Sequence, residues 1–293
     1  VSTFRNNERA RGNGFMFTGM YLGITLGGGV AVFVFGLLGF EAALAYISGL
    51  LFLNLLFVIF YVRDPDADPQ AVRERHLARK LLHSMIAFVK EVYASFWQSG
   101  RGPMIGVAFA LLPTGAMALA YATLGTIQVD YGLNDNQIAQ VRVYNTLATA
   151  VGALTGGMLG DRFGTRKIVA AAYLLTAVPT LILAMQISGV GLQMVSWQLF
   201  YGVIVAHGLF YGMMFGVRSA IFMGMTNPAV AATQFTAFMG MTNLAVSIGN
   251  YWQGIVAERF DYAAVLYLDA LFGALVVLLI PFLRSREDTP LNP

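Results

Sequence analysis

From Ile168 to Val217 the chain runs without one charged side chain. That is more than twice the roughly 20 residues a helix needs to cross a hydrocarbon core. A stretch so long must turn back within the membrane boundary, and Gln186-Ile-Ser-Gly-Val-Gly-Leu-Gln193 supplies the polar and glycine residues for the turn. Such runs recur: between Gly12 and Val62 the only charge is Glu41, and from Gly102 to Val129 there is none. With 57% hydrophobic and 11% charged residues, the chain cannot make a water-facing surface, which ordinarily needs about a quarter charged residues. Backbone groups in lipid must be satisfied within the segment, so these runs read as helices. Ten-residue stretches of alternating polarity, the mark of a membrane barrel, are absent from the sequence. The expected fold is all-α and integral to the membrane. Eight spans are expected, at about Phe15–Phe40, Ala42–Val62, Gly102–Val129 and Gln137–Leu159, two within 168–217, and Ala232–Val256 and Ala264–Leu283. There is no cysteine, which excludes disulfides and thiolate metal sites.

Basic residues sort to alternate loops. Of 18 Lys and Arg, three fall at positions 5 to 11, seven from 63 to 101, three at 162 to 167 and two at 284 to 286. This bias places those segments, and the C-terminus, on the cytoplasmic side. Arg5 to Gly14 lacks the short apolar core of a cleavable leader. Within the long hydrophilic stretch, Asp64-Pro-Asp-Ala-Asp-Pro69 ends the preceding helix. Leu77, Leu81, Met85, Phe88, Val92 and Phe96 then recur near helical spacing, which predicts an amphipathic helix on the membrane surface. His76 and His83 stand there without further metal ligands and read as a solvated face.

One loop carries a pattern of its own, Gly157-Met-Leu-Gly160-Asp161-Arg162-Phe-Gly164-Thr-Arg166-Lys167. The glycines permit close backbone approach, the bases hold the loop on one side, and Asp161 can accept from exposed N–H groups at a helix start. This spacing resembles the signature loop of the major facilitator superfamily of transporters. In that fold two six-helix halves are joined by a long loop, and the signature lies between the second and third helices of a half. The resemblance implies a helix bundle with 8 spans present: residues 1–62 as the last two helices of a first half, 63–102 as a cytoplasmic linker, 103–284 as a complete second half, and 285–293 as a tail. The four earlier helices of the same protein are then expected as a missing partner. The resemblance also places Asp161 near Gly12 to Phe15, with Glu8 available to Arg162 or Arg166, as a gating contact. Ala231-Ala-Thr-Gln234-Phe235, preceded by Asn227-Pro228, is similar to the AmpG-like branch of muropeptide permeases, acetyl-CoA transporters and siderophore importers.

Polar residues inside the spans mark the expected solute site, because a charge at membrane depth needs a cavity or a partner. Arg142 and Asn145 share one helix face, and His207, Tyr211 and Arg218 share another. Asn243 and Asn250 stripe the seventh span. Together they suit a small anionic solute that forms hydrogen bonds. Each has a plainer reading: snorkelling for Arg142 and Arg218, interhelical bonding for the asparagines, a satisfied packing histidine for His207. Asp269 is expected near the membrane surface, locally paired or hydrated, and Trp197 and Trp252 in the interfacial belt. The resemblance implies a symporter working by alternating access with a proton or other coupling ion, in a bacterial inner membrane. No cofactor, metal, catalytic residue or nucleic-acid partner is expected. Two other readings compete: a membrane-embedded enzyme, which three scattered histidines support poorly, and a non-transporting fragment or binding module.

Overall fold

The computed structural model describes residues 8–61, 90, 93, 94, 96, 97, 101–112, 117–226 and 230–283, and the regular elements among them are helices. The first span comprises α1 (Arg9–Ile24), a π-helical turn (Thr25–Val30) and α2 (Ala31–Leu38). The widened turn carries Gly27, Gly28 and Gly29, and Tyr46 donates its hydroxyl to the Leu26 carbonyl at 3.2 Å. Gly39 reverses the chain at φ +85°, in the left-handed region where only glycine is unstrained. α3 (Phe40–Tyr61) follows with Glu41 in its first turn, where the helix dipole favours an acid. Sequence spacing put α1 at Phe15. It starts at Arg9 because helical hydrogen bonding continues past the apolar limit of the span.

Two units make up the chain, Val1–Leu22 with Ser95–Pro293, and Gly23–Ala94. In the second, most described side chains of the two helices are exposed and apolar, Leu37, Phe52 and Phe60 among them, as helices surrounded by lipid should be.

The first unit holds α4 (Arg101–Leu111), α5 (Ala122–Asp130), α6 (Asp135–Phe163), α7 (Thr165–Val190), α8 (Trp197–Met225), α9 (Ala231–Arg259) and α10 (Tyr262–Val276), the last extended by a 3₁₀ turn (Val277–Phe282). Helix starts follow from local chemistry. Asn134 and Gln137 form a reciprocal capping box on α6, Ser196 caps α8, and Asp261 caps α10. α8 packs on α6 and α7, α7 on α10, and α9 on α4. Ile127, Val141, Leu183, Phe200, Ile204 and Leu266 form a buried apolar cluster at one end.

The eight expected spans correspond to eight helical segments, with one correction. The third span is not one continuous helix: α4 ends at Leu111, residues 112 and 117–121 are not helical, and α5 begins at Ala122. Pro113 and Gly115, where a kink was expected, lie outside the described residues. So do His76, His83, most of the predicted amphipathic helix, Asn227-Pro228 and the basic tail. Of that helix, Phe96 is described, buried with its ring 5.3 Å from Phe238. Five segments are long and apolar enough to cross a membrane on length and composition alone: Arg9–Leu38, Phe40–Tyr61, Thr165–Val190, Trp197–Met225 and Tyr262–Phe282. The other three are the broken one and the polar-striped α6 and α9.

Candidate functional site

At the signature loop, glycines let α1 and α6 meet backbone to backbone. A Cβ on Gly157 would stand 2.5 Å from the Ala10 carbonyl oxygen, and one on Gly14 would stand 2.8 Å from that of Ala153. Thr18 donates to the Ala150 carbonyl across the same crossing at 3.0 Å. Asp161, in the last turn of α6, thereby reaches the start of α1. Its Oδ1 accepts the Ala10 N–H at 3.1 Å and its Oδ2 the Arg11 N–H at 3.0 Å. First-turn N–H groups lack helical partners and carry the positive end of the dipole, so a carboxylate is the natural acceptor. Arg11 Nε lies 3.5 Å from Oδ2, with the Arg11 side chain 52% exposed and that of Asp161 6%. The structure places Asp161 ahead of the expected Gly12 to Phe15, since α1 begins earlier. Gly164, at φ +96°, separates α6 from α7. Arg162 and Lys167 are exposed, and Arg166 is half-buried.

Deeper along α6, that helix and α8 cross at glycines. A Cβ on Gly152 would lie 1.9 Å from the Leu209 carbonyl oxygen, and one on Gly212 would lie 2.0 Å from that of Thr149. This contact sets Asn145 against Gly208, beside His207 and Tyr211. Asn145 Oδ1 is buried and accepts no hydrogen bond among the described residues. The Tyr211 hydroxyl lies 2.6 Å from that of Tyr121, and the His207 ring lies along Tyr211 at 6.0 Å with 14° between planes. Tyr21 of α1 is within electrostatic reach of both phenols. Three expected site residues, Asn145, His207 and Tyr211, thus come together with two tyrosines that helical spacing did not single out. Arg142 and Asn243 are exposed, and no hydrogen bond joins their side chains to this cluster among the described residues. Asn250 is half-buried, its Oδ1 without a described partner.

Arg218 and Asp269 are the two fully buried charges among the described residues. Arg218 Nη2 donates to the Phe109 carbonyl at 3.4 Å and to Thr242 Oγ1 at 3.3 Å. Its guanidinium carbon stands 5.4 Å and 5.3 Å from the ring centres of Phe109 and Phe222. Asp269 was expected near the surface and is instead only 1% exposed. Its Oδ1 accepts the N–H groups of Met117 and Ala118, both at 3.2 Å, and Gln253 Nε2 at 3.0 Å. Gln253 Oε1 in turn accepts the Thr123 hydroxyl at 2.8 Å. Spacing alone missed Asp269, since its donors come from an irregular segment remote in sequence. No group of three or more His, Asp or Glu among the described residues is placed to hold a metal ion.

The glycine crossings, the acid-capped helix start and the membrane-length helices describe one architecture, and the family comparison agrees with it. The family model of the Major Facilitator Superfamily matches residues 1–139 and, separately, 104–293. The chain belongs to the major facilitator superfamily. Its fold is therefore that superfamily's membrane helix bundle, and its general activity is secondary transport. Asn145, Tyr121, His207 and Tyr211 are polar groups gathered where α5, α6 and α8 meet.

Proposed function

We propose that this chain moves a small, polar, anionic solute across a membrane by alternating access, as a symporter driven by protons or another ion. A muropeptide, a siderophore or an acyl-CoA-like molecule is the solute class suggested by the AmpG-like Ala231-Ala-Thr-Gln234 segment. The observation that carries the reading is the polar cluster of buried His207 and Tyr211 with half-buried Tyr121 and Asn145, with an acceptor left open at the buried Asn145 Oδ1. Polar atoms at membrane depth are costly unless they serve packing or a solute, and this set leaves one unused. Arg142, on the Asn145 face, supplies the positive charge that draws an anion. Asn243 and Asn250 line the opposite helix of the path. Residues 103–284 act as one six-helix half, and the two helices before the linker belong to the other.

Asp161 on Ala10 and Arg11 is the gate contact of this mechanism, joining the first described helix to the second half at what we take as the cytoplasmic end. Its two backbone bonds and the ion pair hold it, and the Arg11 side of the contact is open to water. The reading is tested by uptake into vesicles containing the full-length protein, with and without a proton gradient, screened against the three solute classes. Uptake that collapses with the gradient and in Arg142→Ala supports it. No uptake by folded protein, or uptake indifferent to Arg142, would discard the anionic-solute reading.

A further inference from the structure

Arg218 is buried, 3% exposed, and poorly satisfied for a cation inside a membrane helix. Its two described hydrogen bonds both leave from Nη2 and are long, 3.4 Å to the Phe109 carbonyl and 3.3 Å to Thr242 Oγ1. A charged donor ordinarily sits about 2.7 to 2.9 Å from its acceptor. Nε is buried and has no hydrogen-bond partner among the described residues. Further compensation comes from the rings of Phe109 and Phe222, at 5.4 Å and 5.3 Å from the guanidinium carbon. Beside this cation stands a second polar group of the same kind. Tyr173 of α7 is 1% exposed, its ring meets that of Phe109 at 6.2 Å, and its hydroxyl is buried without a partner among the described residues. Arg218 and Tyr173 are within electrostatic reach of each other, so the two unused donors share one neighbourhood. Buried polar groups in folded proteins are nearly always paired. A guanidinium N–H and a phenol O–H left open together lack the same thing, an acceptor that carries negative charge.

We propose that Arg218 and Tyr173 form a buried oxyanion site, a second station for a carboxylate or phosphate group of the transported solute. A planar guanidinium presents Nε and Nη2 as a fork that fits two oxygens, and Nη2 is otherwise engaged by two long bonds. The phenol supplies a third donor. Aromatic rings on the guanidinium keep water away, which strengthens the pairing of opposite charges. Pairing an anion with a cation that its own chain satisfies poorly relieves a desolvation cost, and that relief is a source of affinity. Tyr211 connects this site to the cluster of Tyr121, His207 and Asn145. It lies seven residues before Arg218 on the same face of α8, about 10 Å along the helix, and within electrostatic reach of the same cation. The inference rests on the anionic-solute reading and adds a second cation to it: Arg142 is exposed and meets the solute, whereas Arg218 is buried and holds it.

The test is equilibrium binding of radiolabelled acetate and of radiolabelled phosphate to the purified full-length protein at constant ionic strength, with sodium chloride as competitor. The parent should bind at least one probe saturably, and an equal concentration of chloride should displace less than half of it. Arg218→Met should abolish the binding. Arg218→Lys, which keeps the charge but loses the fork, and Tyr173→Phe, which keeps the ring but loses the hydroxyl, should each weaken it by about tenfold. Tyr173→Phe removes a group with no described partner, so it reads the site even where Arg218→Met does not fold. No saturable binding by the parent, parental affinity in both Arg218→Lys and Tyr173→Phe, or binding lost in Arg142→Ala but kept in Arg218→Met would overturn the site. Displacement of most of the probe by equal chloride would overturn its oxyanion class. Competition separates the sources of the anion: a solute that the protein takes up should displace the probe, and a probe that no transported solute displaces would mark an inorganic-ion site and overturn the role in transport. Uptake separates the two claims. Arg218-dependent binding without uptake of any solute would remove the transport reading and keep the oxyanion site; uptake that Arg218→Lys and Tyr173→Phe leave at the parent rate would do the reverse.

Discussion

Asp161 and Asp269 perform the same elementary act in two different settings. Each carboxylate accepts two consecutive backbone N–H groups from another part of the chain, Ala10 and Arg11 for one, Met117 and Ala118 for the other. Asp161 does so at the end of the bundle, beside an arginine half in solvent. Asp269 does so fully buried, with a glutamine amide as its third donor. In water-accessible surroundings a broken bond is replaced by hydration, and the ion pair with Arg11 adds under about 1 kcal/mol because solvent screens it. In the interior nothing replaces it. The first contact is therefore suited to opening and closing, and the second to holding a frame.

That contrast sets an order of expected effects. Asp269→Ala should lower the stability of the detergent-solubilised bundle by about 3 kcal/mol or more, since it strands the buried Met117 and Ala118 N–H groups and the Gln253 amide. Chemical unfolding would measure this, and a loss no greater than that of Asp161→Ala would erase the distinction. Next come the glycines. Gly152→Ala or Gly212→Ala pushes a methyl into a carbonyl oxygen and should cost about 1 to 3 kcal/mol. Gly254→Ala meets nothing within 4 Å and should be neutral, or stabilising by up to about 1 kcal/mol. The same unfolding assay compares them, and equal losses at Gly152 and Gly254 would refute the close crossing of α6 and α8.

At the outer contact, Asp161→Ala should cost only about 1 kcal/mol, as for loss of a helix cap. Its clearer signature is faster amide hydrogen exchange at Ala10 and Arg11, with little change at Met117 and Ala118. Exchange that accelerates equally at both places would show the two contacts to be one unit. The smallest structural effect belongs to Arg142→Ala, an exposed position that should change stability by less than about 0.5 kcal/mol while uptake falls. A fall in melting temperature that tracks the loss of uptake would assign Arg142 to the frame instead.

Much of this architecture was legible before any coordinates. Uncharged runs announced the spans, and Gly39 turned out to make the reversal expected near Glu41. The spacing of Gly157, Gly160 and Asp161 announced a close helix crossing with an acid at its edge, because that geometry needs small residues at helical intervals. Asn145, His207 and Tyr211 were also visible, as polar residues in apolar helices have few reasons to exist. Arg142 and Asn243 met the same criterion and lie exposed, apart from the Tyr121–Tyr211 cluster. Helical spacing says which residues share a face, and nothing about which face turns inward.

The sequence by itself determined the elements, through local quantities: apolar length for the spans, cap residues at Asn134, Ser196 and Asp261 for the helix starts, glycine spacing for the crossings. Only the tertiary structure decided the fate of the buried charges. Arg218 reads as a solute-site residue or a snorkelling one, and Asp269 as a surface one, until the chain folds, because several of their partners are backbone groups with no sequence signature. Any residue can present the Phe109 carbonyl or the Ala118 N–H, and only three-dimensional packing makes those groups the ones left to be satisfied.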